Sequence, residues 1–307
     1  MTALAFIYRE RALAQVPRIL GLMDRRAESP TFGCADRAYW HYLAADFPNA
    51  RFQEAVHLLA LVHTLPIGTH PFSGKPQLIE WANASAVFWA GRRHRDGSAD
   101  EAYPFERSLC ATAFSLLAVG EAWARLSLSP QPAWERSARW LAAARPSSAA
   151  NQSAAAALAL AVWAELTRET RWRKASDAYA AAVMAQQSAD GWYPEYGGPD
   201  AGYQSLTLSL LARLWRRTQD AALKRSLDRA AAWIDGAIGP TGQVDPAANS
   251  RQTSFLYPCG LAILGSPALA RHAAGIEQDK VLHPGWLDDR YVIQLATDYL
   301  LAAEASA

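Results

Sequence analysis

Apolar residues recur three and four positions apart along nearly the whole chain, and this spacing constrains the fold more than any other feature of the sequence. The spacing places such side chains on one face of an α-helix, and no segment shows the strict alternation typical of a β-strand. It predicts about twelve helices and an all-α fold. The helices are expected at residues 9–25, 35–46, 50–64, 76–93, 105–127, 133–144, 150–168, 170–188, 203–218, 219–237, 252–264 and 286–305.

Short connections join the predicted helices. Breakers such as "LPIGTHPFSGKP", "LSPQP" and "IGPTG" separate them, and no stretch rich in Pro, Gly or Ser is long enough to act as a linker between domains. With 307 residues, of which 51% are hydrophobic, the chain can bury a large core. We therefore predict a single domain over residues 1–307.

Three loop-to-helix junctions share one pattern. They read "RDGSADEAYPFERSLCATAFSLLA", "ADGWYPEYGGPDAGYQSLTLSLLA" and "GPTGQVDPAANSRQTSFLYPCGLAIL". Each opens with a glycine turn, passes through acidic or aromatic residues and enters a helix rich in small and apolar side chains. In a ring of helical hairpins all inner helices begin at the same end, so such loops converge on one mouth. We predict that residues 96–107, 190–204, 243–253 and 286–291 face a common cavity.

The stretch "QQSADGWYPEY" resembles the glutamine-glycine-tryptophan repeat of squalene-cyclase-like and protein-prenyltransferase-like α/α toroids. The layout of the whole chain also resembles the α/α toroids of polysaccharide lyases of the heparinase and alginate lyase type. These resemblances imply an α/α toroid, a complete or incomplete ring of about six helical hairpins. They also imply that any activity is located in a central cavity.

Charge and cysteine content exclude several classes of protein. Thirty basic and 29 acidic side chains leave a formal charge of +1, so no nucleic-acid partner is expected. The most apolar stretch, "AAAALALAVWAEL", is about thirteen residues long and too short to span a bilayer, so no membrane insertion is expected. The three cysteines form no CxxC pair and the seven histidines no HExxH pair, so we predict no disulfide framework, no metal and no cofactor. The first residues lack the pattern of a signal peptide, which favours a cytoplasmic location. The sequence leaves the oligomeric state open.

Acidic and aromatic side chains in the predicted mouth loops are the candidates for chemistry. Tyrosine and tryptophan stack on the apolar face of a sugar ring, while carboxylates bind its hydroxyl groups. An arginine at a helix start suits a carboxylate or phosphate. The predicted catalytic residues are Glu101, Tyr103, Glu195, Tyr196 and Tyr203. The predicted substrate-binding residues are Asp100, Glu106, Arg107, Asn151, Trp192, Asp200, Gln204, Arg251, Asp289, Arg290 and Tyr291.

A structural role competes with the functional one for each of these residues. Asp200 and the acidic residues of the first loop are compatible with helix capping, and paired aspartates at 288 and 289 are compatible with a cap or with cation binding. Asn151 is compatible with a plain N-cap. By resemblance to lyases of uronate polymers, Asn151 instead acts with an arginine to neutralise the substrate carboxylate.

From these residues we predict a carbohydrate-active enzyme that acts on an acidic, uronate-type polysaccharide or its precursor. The predicted reaction is proton abstraction beside a carboxylate, which leads to β-elimination or epimerisation. A tyrosine (Tyr103, Tyr196 or Tyr203) would move the proton, and Arg107, Arg251 and Asn151 would neutralise the carboxylate. Acidic residues of the loops would position hydroxyl groups or act as acid and base. A role in exopolysaccharide metabolism fits a cytoplasmic location.

Three other functions remain open at this point. The 12 tryptophans and 11 tyrosines suit an isoprenoid cyclase or transferase, although no Asp-x-Asp-Asp motif of proton-initiated cyclases is present. Two carboxylates that flank one glycosidic bond would favour a glycoside hydrolase. A non-catalytic glycan-binding protein is the third alternative.

Overall fold

The computed structural model describes residues 1–307, which form fourteen α-helices and no β-strand. Helices make up 62% of the chain. Their bounds are Ala3–Leu13 (α1), Val16–Leu22 (α2), Arg37–Trp40 (α3), Ala55–Thr64 (α4), Pro76–Arg92 (α5), Leu109–Leu126 (α6), Pro132–Ala143 (α7), Ala150–Thr167 (α8), Thr170–Ala185 (α9), Ala201–Thr218 (α10), Ala221–Ala237 (α11), Cys259–Leu264 (α12), Ala268–Glu277 (α13) and Val292–Ala305 (α14). Short 3-10 helices span Ala50–Glu54, Pro246–Ala248 and Pro284–Trp286.

Six helices form a closed inner ring, and six more lie outside it. The even-numbered helices from α4 to α14 each pack on the next, and α14 packs on α4. The outer partners are α5, α7, α9, α11, α13 and α1. The predicted α/α toroid is therefore confirmed, as a complete ring of six helical pairs.

The two ends of the chain close the ring by forming the sixth pair. Helix α1 packs along α14, and the Tyr8 ring meets the Tyr299 ring edge-on, with 5.2 Å between centroids. The Thr2 hydroxyl donates a hydrogen bond to the carbonyl of Ser306 at 2.7 Å. The outer partner of α14, the last inner helix, is α1, the first helix of the chain. Both ends of the chain are therefore needed to complete the ring.

Small side chains allow the inner helices to approach closely. Helix α8 is buried almost throughout, from Ala150 to Ala164, and carries a run of alanines there. A Cβ atom placed on Gly120 of α6 would lie 2.9 Å from a Val162 methyl group of α8. Helix α6 is long and apolar enough to cross a membrane, but 72% of that stretch is buried inside the protein, as expected for a core helix.

Ion pairs close the ring axis toward the C-terminal ends of the inner helices. Glu121 of α6 accepts hydrogen bonds from Arg213 (2.5 Å) and Arg217 (2.8 Å) of α10. Arg125 of α6 forms a two-pronged pair with Glu304 of α14, at 2.7 and 2.6 Å. The axis is therefore open to a large ligand only at the end where the inner helices begin.

Several predicted helix bounds were wrong for identifiable reasons. The helix expected at 35–46 is only the single turn of α3. The helix expected at 252–264 begins at Cys259, because Pro258 disfavours a helical conformation in the residue before it. The first helix begins at Ala3 rather than at residue 9, and α13 was not predicted at all. Helix α13 directly follows Gly265 and Pro267. These two residues indicate the end of a helix, so no further helix was expected after them.

Candidate active site

A cavity of about 400 Å³ lies at the end of the ring where all six inner helices begin. The first turns of α6, α8, α10 and α14 and the residues just before α4 and α12 form its wall. Each of the four loops predicted to share a mouth contributes at least one residue. The wall residues are Arg51, Glu101, Glu106, Ser108, Cys110, Asn151, Gln152, Tyr196, Tyr203, Leu206, Arg251, Phe255, Tyr257, Arg290, Tyr291 and Gln294.

Half of the sequence-predicted site residues line this cavity and half do not. Those in the wall are Glu101, Glu106, Asn151, Tyr196, Tyr203, Arg251, Arg290 and Tyr291. Those outside it are Asp100, Tyr103, Arg107, Trp192, Glu195, Asp200, Gln204 and Asp289. No group of three or more His, Cys, Asp or Glu side chains is arranged to hold a metal ion.

Arg251 is an exposed guanidinium held between two aromatic rings. Its guanidinium carbon lies 5.0 Å from the ring centre of Tyr196 and 5.1 Å from that of Tyr203. No carboxylate lies within ion-pair distance of Arg251. The two rings hold the side chain in place by cation–π contact and leave its donors free for a ligand.

The other charged groups of the wall are largely paired. Glu101 forms an ion pair with Arg290, and its carboxylate lies 3.8 Å from Arg51. Arg51 is itself paired with Glu54 and donates to the Cys110 sulfur at 3.1 Å. These contacts hold the floor of the cavity in place. They also pair most of the charged side chains of the wall with one another.

Glu106 holds the first mouth loop in shape while one of its oxygens stays free. Its Oε2 accepts hydrogen bonds from the backbone N–H groups of Ala102 (2.9 Å) and Tyr103 (2.7 Å). No cation forms an ion pair with Glu106. The Oε1 atom therefore remains available to a ligand in the cavity.

Asp100 shapes the same loop from outside the wall. It accepts hydrogen bonds from the N–H groups of Phe105 (2.8 Å) and Arg107 (3.0 Å) and from His94 at 2.9 Å. Phe105 and Arg107 have φ values of 64° and 52°, which are strained for side-chain-bearing residues. The carboxylate of Asp100 accepts hydrogen bonds from the N–H groups of both residues and so stabilises their strained backbone. The role of Asp100 is therefore structural.

Glu195 lies behind the wall, where it binds Asn151. Its carboxylate is 5% exposed and accepts hydrogen bonds from the Asn151 N–H (3.2 Å) and from the side-chain Nδ2 at 2.9 Å to each oxygen. Burial raises the pKa of Glu195 to about 7, although the bonds from Asn151 oppose that rise. Asn151 is the second residue of α8 and not its N-cap, which is Ala149. Its Nδ2 donors are used by Glu195, so Oδ1 is the atom it presents to a ligand.

Asp200 and Gln204 join loops to one another beneath the surface. Asp200 is fully buried, caps α10 through the Tyr203 N–H at 3.0 Å, and accepts from the N–H of Arg251 at 3.0 Å. The Thr253 hydroxyl also donates to it. Gln204 accepts from the Tyr193 N–H at 2.8 Å. Asp200 therefore positions both tyrosine-bearing α10 and the segment that carries Arg251.

The remaining predicted residues do not line the cavity. Tyr103 is 72% exposed, and Arg107 forms an ion pair with Asp96. Asp289 pairs with Arg18 at 2.7 Å. Trp192 is half-buried and is held by the Ser188 hydroxyl, which accepts from its N–H at 3.1 Å.

Eight wall residues were not among the predicted site residues. Gln152 donates to the Tyr196 hydroxyl at 3.0 Å, and Gln294 donates to Glu54 at 3.3 Å. The others are Arg51, Ser108, Cys110, Leu206, Phe255 and Tyr257. Their position in the sequence is the signal that could have found them, because all eight lie within a few residues of the start of an inner helix.

Beneath the floor, a second cavity of about 50 Å³ continues along the ring axis. It has room for a few water molecules and not for a sugar ring. His57 and Asp298 line it, and burial lowers the pKa of His57 to about 3 and raises that of Asp298 to about 6. His57 is therefore neutral at pH 7, whereas Asp298 ionises only as the pH rises through about 6.

The fold and the polar mouth define the class of protein, an α/α toroid with one charged cavity where its inner helices begin. No protein-family model matches the chain, and no curated protein matches it in sequence. Solved structures share the fold at low identity. The Lin0763 protein from Listeria innocua superimposes with a TM-score of 0.61 and 11% identity, over 97% of this chain and 96% of that one.

Two further structures have names that state an activity. A family 76 glycoside hydrolase from a bovine Bacteroides thetaiotaomicron strain has a TM-score of 0.58 and 10% identity, over 100% of this chain and 78% of that one. A polysaccharide lyase has a TM-score of 0.54 and 12% identity, over 99% and 97%. At these identities the similarity shows the fold.

Proposed function

We propose that the protein is a carbohydrate-active enzyme whose substrate is an acidic, uronate-type glycan bound in the mouth cavity. The observation that carries the proposal is Arg251, a guanidinium without a carboxylate partner, held between Tyr196 and Tyr203 in the cavity wall. The activities named for the glycoside hydrolase and the polysaccharide lyase of the same fold support a carbohydrate substrate.

The composition of the wall suits a sugar better than a hydrocarbon. Tyrosines at 196, 203 and 291 offer aromatic faces, and Gln152 and Asn151 offer hydrogen-bonding groups beside them. An isoprenoid or a carbocation would need a dry apolar pocket. Here charged groups line the mouth and also the smaller cavity below it.

The electrostatics favour an anionic sugar. Six inner helices begin at the cavity, and a helix N-terminus carries a partial positive charge. Arg251 adds a full charge that no side chain neutralises, in a position that its two tyrosines fix. A uronate carboxylate would accept two hydrogen bonds from this guanidinium.

The proposed reaction is β-elimination, with the acid and the base drawn from the wall. Burial raises the pKa of Tyr203, with Arg251 opposing the rise, so the phenol is protonated and can donate. Glu106, with a free oxygen, would take the proton from the carbon next to the carboxylate. The bond from the neighbouring carbon to the glycosidic oxygen breaks, a carbon–carbon double bond forms, and Tyr203 gives its proton to the departing oxygen. Return of the proton to the opposite face, without bond cleavage, would be epimerisation.

Hydrolysis is the second candidate, because two carboxylates of one loop, Glu101 and Glu106, line the same cavity. Most glycoside hydrolases use a pair of carboxylates as their catalytic residues. The products distinguish the two reactions. Elimination creates an unsaturated uronate that absorbs ultraviolet light, whereas hydrolysis creates a new reducing end without that absorbance.

The test of substrate class compares Arg251→Ala with Arg225→Ala, which removes an equal charge from the exposed face of outer helix α11. Loss of a charged hydrogen-bonding partner should weaken binding of oligogalacturonates or oligomannuronates roughly 10- to 100-fold. The loss should shrink as salt is added. Carboxyl-reduced versions of the same sugars should bind both variants alike. Equal loss for acidic and neutral sugars would show that Arg251 does not recognise the carboxylate.

A further inference from the structure

A second concave surface, a groove of about 680 Å³, lies on the same end of the ring as the mouth cavity. The loops that lead into α12 and α14 form it, and these loops also supply Arg251 and Tyr291 to the cavity. We call it the Trp286 groove, after the aromatic residue at its edge. None of the reactions considered above uses it.

Trp286 is an exposed and well-oriented aromatic platform. Its side chain is 56% exposed, although tryptophan is usually mostly buried. Its ring centre lies 4.6 Å from that of His283, and the His283 side chain accepts from the Gly285 N–H at 3.1 Å. The short 3-10 helix that carries Trp286 is therefore anchored, and the open face of the indole ring can stack on a sugar.

Polar groups around the platform match an acidic sugar. The Lys280 side chain is exposed and forms no ion pair. Asp245 uses one oxygen to bind the Ala247 N–H at 2.9 Å, which leaves the other for a sugar hydroxyl. Gln243 donates to the Lys280 carbonyl at 2.9 Å and so joins the two loops that form the groove.

One segment of the chain separates the groove from the cavity. Ser254 lines the groove, while its neighbour Phe255 lines the cavity beside Arg251. Because the ring axis is closed below, a chain longer than the cavity must leave through the mouth, and this segment is a point of passage into the groove.

We propose that the Trp286 groove binds the part of an acidic glycan chain that extends beyond the central cavity. The indole ring stacks on one sugar unit, and Lys280 attracts the carboxylate of the same or the next unit. This inference rests on the proposed function, because the occupant is the glycan assigned to the cavity. It adds that affinity increases with chain length.

The experiment measures binding by calorimetry for a galacturonate disaccharide and for a long oligogalacturonate, and repeats both with mannuronates. The variants are Trp286→Ala and Lys280→Ala. Phe6→Ala is the matched control, because Phe6 is 49% exposed on outer helix α1, away from both sites. Trp286→Ala should weaken binding of the long chain on the order of tenfold and leave the disaccharide unchanged. Lys280→Ala should weaken only the long chain, and less so at high salt.

Each contrary result identifies what failed. If the unaltered protein binds the disaccharide but gains nothing with chain length, the groove proposal is wrong and the proposed function stands. Equal losses for short and long chains in Trp286→Ala would also overturn it, because the ring would then act through the cavity. If no uronate sugar binds at all, the proposed function fails, and the groove proposal with it.

Discussion

Replacing Glu195 with glutamine should remove a pH-dependent loss of stability. The carboxyl group is 5% exposed, and burial raises its pKa from 4.5 to about 7. In the unfolded chain the group ionises at its ordinary pKa. At low pH the group is protonated in both states, so its favourable contribution to folding is complete there. As pH rises toward 7 the unfolded chain releases the proton first, and the folded chain loses that contribution.

The expected size follows from the shift. Each unit of pKa difference corresponds to about 1.4 kcal/mol. A rise from 4.5 to about 7 therefore costs about 3 kcal/mol of unfolding free energy between low pH and pH above 7. Glutamine has a similar size and does not titrate, so the variant avoids this cost. Its hydrogen bonding to Asn151 differs, which shifts the whole curve by an amount that is the same at every pH.

The assay is urea denaturation at a series of pH values from about 4 to about 8, where this linkage acts. The unfolding free energy of Glu195→Gln, minus that of the unaltered protein, should rise by about 3 kcal/mol across this range. Glu277→Gln, on the exposed end of α13, controls for the loss of one carboxylate. Parallel curves for Glu195→Gln and the unaltered protein would refute the burial argument.

Two further substitutions test how the ring holds its site. Asp200→Ala should lower the unfolding free energy by about 2–4 kcal/mol in urea titration, because it removes a helix cap and a backbone hydrogen bond to Arg251; unchanged stability would rule out that role. Glu121→Gln should cost about 3–5 kcal/mol, since it leaves Arg213 and Arg217 without their shared partner. A cost below about 1 kcal/mol, as for a surface ion pair, would mean that these ion pairs do not hold the inner helices together.

The ring and its mouth were predictable because each depends on a pattern repeated along the sequence. Helical spacing predicted all six inner helices and every outer helix except α13, and glycine turns with acidic and aromatic residues precede α6, α10 and α12. Repetition lets one weak local signal support another. Arg51 was missed because the 3-10 helix that carries it lacks the glycine turn, although it occupies the equivalent position before α4.

Which side of a loop faces the cavity was not predictable. Glu195 and Tyr196 are adjacent in sequence, but a tight turn with a bridge between Glu195 and Gly198 sends them in opposite directions. The tyrosine lines the cavity and the glutamate enters the core. The direction depends on Asn151, a partner 44 positions away. Contacts across the ring therefore select the site residues from a larger set of suitable side chains.

Most charged side chains of the cavity wall are paired with one another, and the two that are not paired are suited to bind a substrate. Five charged side chains line the cavity, and Arg51, Glu101 and Arg290 are tied to each other and to Glu54 below. An ion pair within the wall costs a ligand the energy of breaking it, so these residues are poor partners for a substrate. Glu106 and Arg251 are the two charged wall residues without an ion-pair partner. Glu106 lies in the loop before α6, and Arg251 lies in the loop before α12. An acidic sugar placed between them would meet a cation at its carboxylate and a base beside it. These are the two contacts that proton removal next to a carboxylate requires.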